Sequence, residues 1–595
     1  MVAAGVAADK RRLAPTKALE SRVGGAGRDL HWTGFMLATI QSATLAGIDS
    51  LPVEVQAFFG KGLPGVDIVG LGDMAVRESR VRVKSALESS GLTLPSRNVV
   101  LNLAPADIRK SGTTLDLSIA IALLCAAGVV ASSRIDNLLV LGELTLGGEL
   151  RVVRGVLSHL RDARQRGISR AIIPHDNGHE ATLISGLDTR CARNLRDVVQ
   201  YLDGTLELPR ASARDDEPAA TFALDLNDVR GQQAAKRALE IAAVGGHNLL
   251  MLGPPGTGKT MLAQRLSSIM PPPGEKEALE IATIASAVGA GAPANLAAVL
   301  RPFRAPHHSA SHAALVGGGT PIQPGEVTLA HGGVLFLDEL PEFGRAALES
   351  LRPTMESGIA HVVRARQRIA WPARPLVVAA MNPCPCGYAD DPSRMCTCPL
   401  DRIERYRARI SGPLLDRFDL HIALKPVEAR SLREGEPGEC SGSIRERVCA
   451  ARERAAQRVS VRASPSAHDH ARQFSVESLS HATAPAALVL LDRAVDALGL
   501  SVRAYVKVLR VARTIADLES SDAVTTAHMA EAIQYRLLDR RPEATRQVKP
   551  KKPAVRVRGE PAADHASEAS LPATPTPNDA ADAAPALVPA AAPLG

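Results

Sequence analysis

Residues 253–260 read Gly253-Pro254-Pro255-Gly256-Thr257-Gly258-Lys259-Thr260, a run with the composition of a phosphate cradle. The glycines let the backbone bend and aim its N–H groups at an anion. Lys259 offers a point charge to β- and γ-phosphates, Thr260 Oγ can ligate Mg²⁺, and the start of the following helix adds its dipole. A second apolar run ends in Asp338-Glu339. Asp338 is placed to hold Mg²⁺, directly or through water, and Glu339 to polarise an attacking water. Asn382 closes a third apolar run, where its amide can reach that water or the γ-phosphate; the plain reading is a turn former before Pro383. Arg417 lies in GPLLDRFD (412–419), where a surface ion pair is the plain reading.

Four of the eight cysteines, Cys384, Cys386, Cys396 and Cys398, fall in NPCPCGYADDPSRMCTCP (382–399). Four thiolates within reach of one another in a reducing compartment suit a tetrahedral, structural Zn²⁺ with no open position. Cys-x-Cys is tighter than the usual zinc spacings, and four free thiols or a redox pair stand as alternatives. His307 and His308 read as loop residues, because no carboxylate or cysteine partners them at ligand spacing.

These groups need a rigid frame. The runs NLLML (248–252), VLFL (334–337) and LVVAAM (376–381) are bounded by Gly or polar residues, as parallel strands buried on both faces are. With the helices between them they predict a doubly wound α/β sheet over 225–430. Ahead of it, residues 36–208 alternate short strands with amphipathic helices. LDLSIAIALLCAAGVVA (115–131) is a helix with almost no polar face, and ISRAIIPHD (168–176) a strand ending at Pro174. Residues 1–35 read as a flexible extension, 209–224 as a linker, 443–462 as an Arg-rich helix and 502–519 as an amphipathic helix. Residues 541–595 read as a disordered, solvated tail, with Lys549, Lys551 and Lys552 a lesser option for nucleic acid.

A chain of 595 residues is long enough for about three folded units. The aromatic content of 3% argues against modules that stack bases on aromatic faces, and the net charge of +7 permits nucleic-acid contact without requiring it. The sequence has neither a secretory signal nor a membrane-spanning run, which predicts a cytoplasmic protein without a membrane partner.

The order of P-loop, Asp-Glu, strand-end Asn and LLDRFD resembles AAA+ ATPases of the helix-2-insert kind. Longer stretches resemble one family within it, the Mg-chelatase-like YifB/ComM proteins. They include residues 52–87, 100–123, VRGQQAAKRALEIAAVGGHNLLMLGPPGTGKT (229–260), FRAPHHSASHAALVGGG (303–319), 324–343, MNPCPCG (381–387) and SVRAYVKVLRVARTIADL (501–518). The resemblance implies ATP and Mg²⁺ as cofactors, Asn382 as sensor 1 and Arg417 as an arginine finger reaching a neighbouring subunit's ATP. It also implies Arg503 as the sensor-2 arginine on a C-terminal helical lid (431–540), and puts Asp228 to Gln232 near the adenine. A finger in trans implies a homo-oligomeric ring, usually a hexamer. The insert after the P-loop helix is implied to be a pore-facing hairpin.

Residues 100–175 resemble the Lon protease domain, an α+β fold of the ribosomal S5 type. Thr114 aligns with the nucleophile and Leu157 with the lysine of its Ser–Lys dyad, and only arginines stand near Leu157. Arginine stays protonated and cannot serve as the base. Lys110 and Ser111 are neighbours in sequence, which does not supply dyad geometry. The domain, 36–208, is therefore expected to be non-proteolytic. Its Arg77, Arg80, Arg82 and Lys84 share one predicted helix, to bind DNA phosphates or to be solvated. The resemblance implies an ATP-driven DNA motor, a branch-migration helicase that helps incoming DNA integrate during natural transformation. A metal-insertion ATPase and a protein remodeller with an inert Lon-like domain are the alternatives.

Overall fold

The computed structural model describes residues 37–110, 112–212, 224–293, 295–319, 322–364, 367–389, 394–427, 433, 438–460 and 476–536. The 1–35 extension, most of the 209–224 linker, Ser111 and the 541–595 tail lie outside the described residues.

The P-loop region is built on a five-stranded sheet whose strands all run parallel. Their order is Phe303–Arg304, Val334–Leu337, Leu376–Met381, Leu249–Leu252 and Leu420–Ala423. The three apolar runs are the three central strands. Every residue of Val334–Leu337 and Leu376–Met381 is buried, as a strand covered on both faces requires. The two outer strands were missed in the sequence reading. Phe303–Arg304 is only two residues long, and Leu420–Ala423 (LHIA) carries a buried histidine that breaks the apolar pattern. The register aligns Leu252 with Met381 and Leu337 with Ala379, so the P-loop, Asp338 and Asn382 leave the sheet at one edge.

The N-terminal region forms a mixed seven-stranded sheet. Its order is Gly65–Val69, Asn98–Ala104, Asp49–Gly60, Leu37–Ala46, Leu138–Val140, Arg170–Pro174 and Asp188–Ala192. The helix Asp116–Ala126 packs on the two long strands, and all eleven of its residues are buried, as its lack of a polar face demands. It stops at Ala126, short of the 131 expected; Gly128 follows at positive φ. Its first residue, Asp116, is a buried carboxylate held bidentately by Arg82 at 2.7 and 3.0 Å.

Behind the P-loop sheet lie the helices Ser441–Ser460, Val476–His481, Pro485–Leu498, Val502–Leu518 and Thr526–Gln534. They share one continuous apolar core with the P-loop helix and the strand before it. The described part of the C-terminal region is thus helical and is packed on the sheet domain through Val508, Leu509, Ala512 and Ile515.

Candidate functional site

The strand Leu249–Leu252 feeds a loop that ends in the helix Lys259–Ile269. Gly256 and Gly258 take φ of +78° and +87°, a region β-carbons disfavour, and this turns the loop back over the helix start. Lys259 is buried in the loop. Its Nζ donates to the carbonyls of Gly253 and Pro254 at 2.7 and 2.9 Å and to Asn382 Oδ1 at 3.1 Å. Burial holds the ammonium below its ordinary pKa, and the charges of Asp338 and Glu339 oppose that shift. Thr260 Oγ1 donates to Asp338 Oδ2 at 2.8 Å. Thr260 and Asp338 are therefore already paired as two oxygen ligands of one hard cation would be.

Glu339 follows with φ of +53°, a left-handed conformation that turns its side chain out of the strand. The side chain is half exposed, and His308 Nδ1 lies 3.2 Å from its Oε2. A carboxylate thus partners His308 in space, from a residue distant in sequence, while His307 and His308 are loop residues as the sequence predicts. The segment before the P-loop also joins the site. Gln232 Nε2 donates to the Thr257 carbonyl at 3.1 Å and to the Lys425 carbonyl at 2.8 Å, and Arg265 pairs with Asp228 at 2.9 Å.

Arg417 stands elsewhere. Its carbonyl accepts from Asn248 Nδ2 at 3.0 Å, and Asn248 precedes the strand whose far end carries the P-loop. At ~3.3 Å per residue, that strand keeps Arg417 roughly 15 Å from the phosphate cradle of its own chain. The Arg417 guanidinium is paired with Glu356. Burial first, then the neighbouring charges of Arg503 and Arg352, hold it below its ordinary pKa. Arg503 is exposed at the start of the helix Val502–Leu518. One turn on, Lys507 pairs with Asp419 at 3.0 Å and docks that helix on the Arg417 loop. The structure therefore groups Arg503 with Arg417 and not with Lys259.

The four cysteines converge. Their sulfurs all lie within 4.8 Å of one another, Cys384 to Cys386 at 3.2 Å and Cys396 to each of these at 3.6 Å. A disulfide needs about 2.05 Å, whereas four thiolates at ~2.3 Å from a tetrahedral metal lie roughly 3.8 Å apart. The spacing fits the second. A hydrogen bond from the Tyr388 backbone, then one from the Cys384 thiol, brings the Cys386 thiol down to about 6. The cysteine loop lies against the loop of residues 253–260. Gly387 has φ of +90°, and a β-carbon there would stand 2.6 Å from Pro255 Cδ.

Among the N-terminal basic residues Arg77, Arg80 and Lys84 are exposed on the helix Met74–Ser89, whereas Arg82 is committed to Asp116 and leaves the set that could meet phosphates. Leu157 is in the core and its helix packs on the helix Glu275–Val288, so no base occupies the position the dyad lysine would take. One further element escaped the sequence reading, an antiparallel hairpin of Ile359–Arg364 and Gln367–Pro372 inserted before the sensor strand. The sequence from the end of the first strand to the start of the second reads VRARQR (363–368), and of these Val363 and Arg368 are exposed. The hairpin's β-branched and aromatic residues, Ile359, Val362, Val363, Ile369 and Trp371, were its signal.

Comparison with known proteins places this geometry in a lineage. Residues 225–432 match the family described as Magnesium chelatase, subunit ChlI. Residues 53–177 match Subunit ChlI of Mg-chelatase, and 438–536 match Magnesium chelatase, subunit ChlI C-terminal. The chain is similar to the YifB protein of Escherichia coli, at 43% identity over 507 residues, 85% of this chain and 98% of YifB. Competence protein ComM of Haemophilus influenzae is 43% identical over 511 residues, with the same shares of 85% and 98%. A Lon protease of Clostridium beijerinckii is 25% identical over 166 residues, 27% of this chain and 19% of that protein. Over nearly its whole described length, the chain belongs to the Mg-chelatase-like family that includes YifB and ComM.

Proposed function

We propose that the chain is an ATPase subunit of an AAA+ ring that moves on DNA, as a branch-migration helicase serving DNA integration in natural transformation or recombination. The observation that carries this reading is the split of the phosphate machinery between opposite edges of one sheet. Lys259, Thr260, Asp338, Glu339 and Asn382 converge at one edge, and Arg417 with Arg503 stands at the other. A complete hydrolytic centre then needs two apposed chains, with Arg417 entering the neighbour's site as a finger and Arg503 acting beside it. A homohexamer closes such a set.

In this reading the residues from Gly253 to Thr260 hold the ATP phosphates, and Thr260 and Asp338 hold Mg²⁺. Held there, Mg²⁺ would supply positive charge to offset the negative charge developing on the phosphoryl oxygens. Glu339 accepts a proton from the attacking water, Lys259 steadies the γ-phosphate and Asn382 fixes the lysine. The four cysteines hold a structural Zn²⁺ on the loop after Asn382. Residues 36–208 are a Lon-like, S5-type domain without a dyad, 225–430 the AAA+ domain and 431–540 the lid. The hairpin over 359–372, whose Arg368 is exposed, is the element suited to phosphodiester contact, and a cytoplasmic location goes with a DNA substrate.

Metal insertion, to which the matched family's description points, predicts a different stimulus. The test is ATP hydrolysis measured with no DNA, with duplex and with forked or four-way DNA, alongside a branch-migration readout. DNA-stimulated hydrolysis with strand exchange at the junction is expected. A flat response across all DNAs with no migration overturns the DNA reading and favours insertion or protein remodelling.

A further inference from the structure

We propose that a cavity of about 700 Å³ at the starting ends of the three central strands binds a phosphate dianion, free or carried on a small molecule, between Arg452 and Arg374. The cavity is separate from the loop of residues 253–260, which leaves the same sheet at the opposite edge.

Asn248, Gly333 and Leu376 line the cavity, each at the start of its strand or one residue before it. Three arginines, Arg301, Arg374 and Arg452, complete the wall. Arg301 is spent. It forks onto Glu277 at 2.9 and 2.8 Å and gives its other N–H groups to the carbonyls of Pro271, Pro272 and Gly332. Arg452 reaches in from the helix Ser441–Ser460. Its Nε and Nη2 donate to the Ala243 carbonyl at 3.0 and 2.6 Å, at the end of the helix Gln233–Gly245. Among the described residues no acceptor meets Arg452 Nη1 and no carboxylate pairs with the group. Burial first, then the charge of Arg301, brings the Arg452 guanidinium down to about 10, and Glu277 opposes the shift. Arg374 is exposed at the rim, and its side chain likewise has no carboxylate partner among the described residues. Its stem lies across Gly358, where φ is +69° and a β-carbon would stand 2.8 Å from Arg374 Cγ. Glycine at 358 thus leaves Arg374 room to lie at the cavity mouth.

Charge bookkeeping names the ligand class. The two carboxylates of the lining are both committed, Glu277 to Arg301 and Glu356 to Arg417. Arg452 and Arg374 are left with two positive charges that no anion of the described chain balances. A half-buried guanidinium without a counter-charge carries a desolvation cost that a bound anion offsets. The flat fork of N–H donors suits the oxygens of a phosphate, and two guanidiniums match a dianion better than a single carboxylate. The cavity falls within the roughly 300–1,000 Å³ of small-molecule sites, so a phosphate bearing an organic group also fits.

The experiment titrates the full chain, held in saturating ADP and Mg²⁺, with inorganic phosphate and with glycerol 3-phosphate in a calorimeter. Sodium chloride of equal ionic strength is the control, and melting temperatures are read on the same samples. Saturable binding and a raised melting temperature are expected for at least one of the two anions. The stronger of the two identifies the source: inorganic phosphate points to the free ion, glycerol 3-phosphate to a phosphorylated small molecule. Arg452→Gln keeps an N–H for the Ala243 carbonyl and removes the charge, and affinity is expected to fall roughly tenfold or more, the worth of a charged hydrogen bond. Arg374→Ala is exposed and remote from residues 253–260. It is expected to melt as the parent does without phosphate and to bind the anion several-fold more weakly. No binding of either anion beyond the chloride control overturns the site. Parental affinity in an Arg374→Ala chain that melts as the parent does overturns it too, whether or not Arg452→Gln folds.

Discussion

Lys259 Nζ donates to Asn382 Oδ1 at 3.1 Å, across two neighbouring parallel strands. That bond joins the phosphate loop to the first residue of the loop that carries the cysteines. Its length depends on the register that sets Leu252 opposite Met381, and a slip of one residue would turn both strand ends away from each other.

Lys259→Ala removes the buried ammonium at this junction. ATP hydrolysis is expected to fall roughly a hundredfold or more, since a preorganised charge on the transferring group is lost. The sheet and the helical core do not depend on the ammonium, so the circular dichroism spectrum is expected to match the parent. Phosphate release and the spectrum, measured on one preparation, check both halves.

Arg417→Ala is expected to lower hydrolysis by about three orders of magnitude, the worth of an arginine finger. The opposite-edge geometry makes a sharper forecast. A mixture of Lys259→Ala and Arg417→Ala chains contains interfaces with one intact Lys259 and one intact Arg417. Its activity is expected to exceed the sum of the two variants alone. A mixture that only adds up would mean that Arg417 does not serve a neighbour.

Cys384→Ser removes the buried member of the sulfur cluster. The parent is expected to carry about one zinc per chain by elemental analysis, and the variant well below that, with a lower melting temperature. Equal zinc in both would count against a four-thiolate site.

Arg82→Ala strands Asp116 in the N-terminal core. Loss of one partner of a buried pair costs about 3 kcal/mol or more. Burial already holds the Asp116 carboxyl above its ordinary pKa, with the Arg82 bond opposing. Without Arg82 the folded-state pKa rises further. A raised folded pKa favours the folded chain at low pH, and that gain is lost as pH rises through it. The variant's deficit in denaturant melts is therefore expected to be larger at pH 7 than at pH 5. Arg77→Ala in the same helix is exposed and is expected to cost little at either pH.

The convergence of Lys259, Thr260, Asp338 and Asn382 was legible because each sits at or just past the end of a short apolar run, and parallel strands deliver their ends to one edge. The fully buried helix at 116–126 was legible from its missing polar face. Other features depend on pairs far apart in sequence. Arg82 reads as one cation in a basic helix until Asp116, on another element, claims it. His308 lacks a ligand partner nearby in sequence, and Glu339 reaches it only because Phe303–Arg304, too short to register as a strand, adds an edge beside Val334–Leu337. The segregation of Arg417 and Arg503 from Lys259 is likewise a matter of which end of a strand a loop leaves, which residue types do not encode.

The contact between Gly387 and Pro255 ties the histories of two motifs together. Any side chain at 387 would have to push Pro255 out of the phosphate loop, and a bulkier residue at 255 would press on the cysteine loop. In lineages descending from this sequence the two positions should therefore change as a pair or not at all. A graft of either loop into a relative should succeed only when the other travels with it.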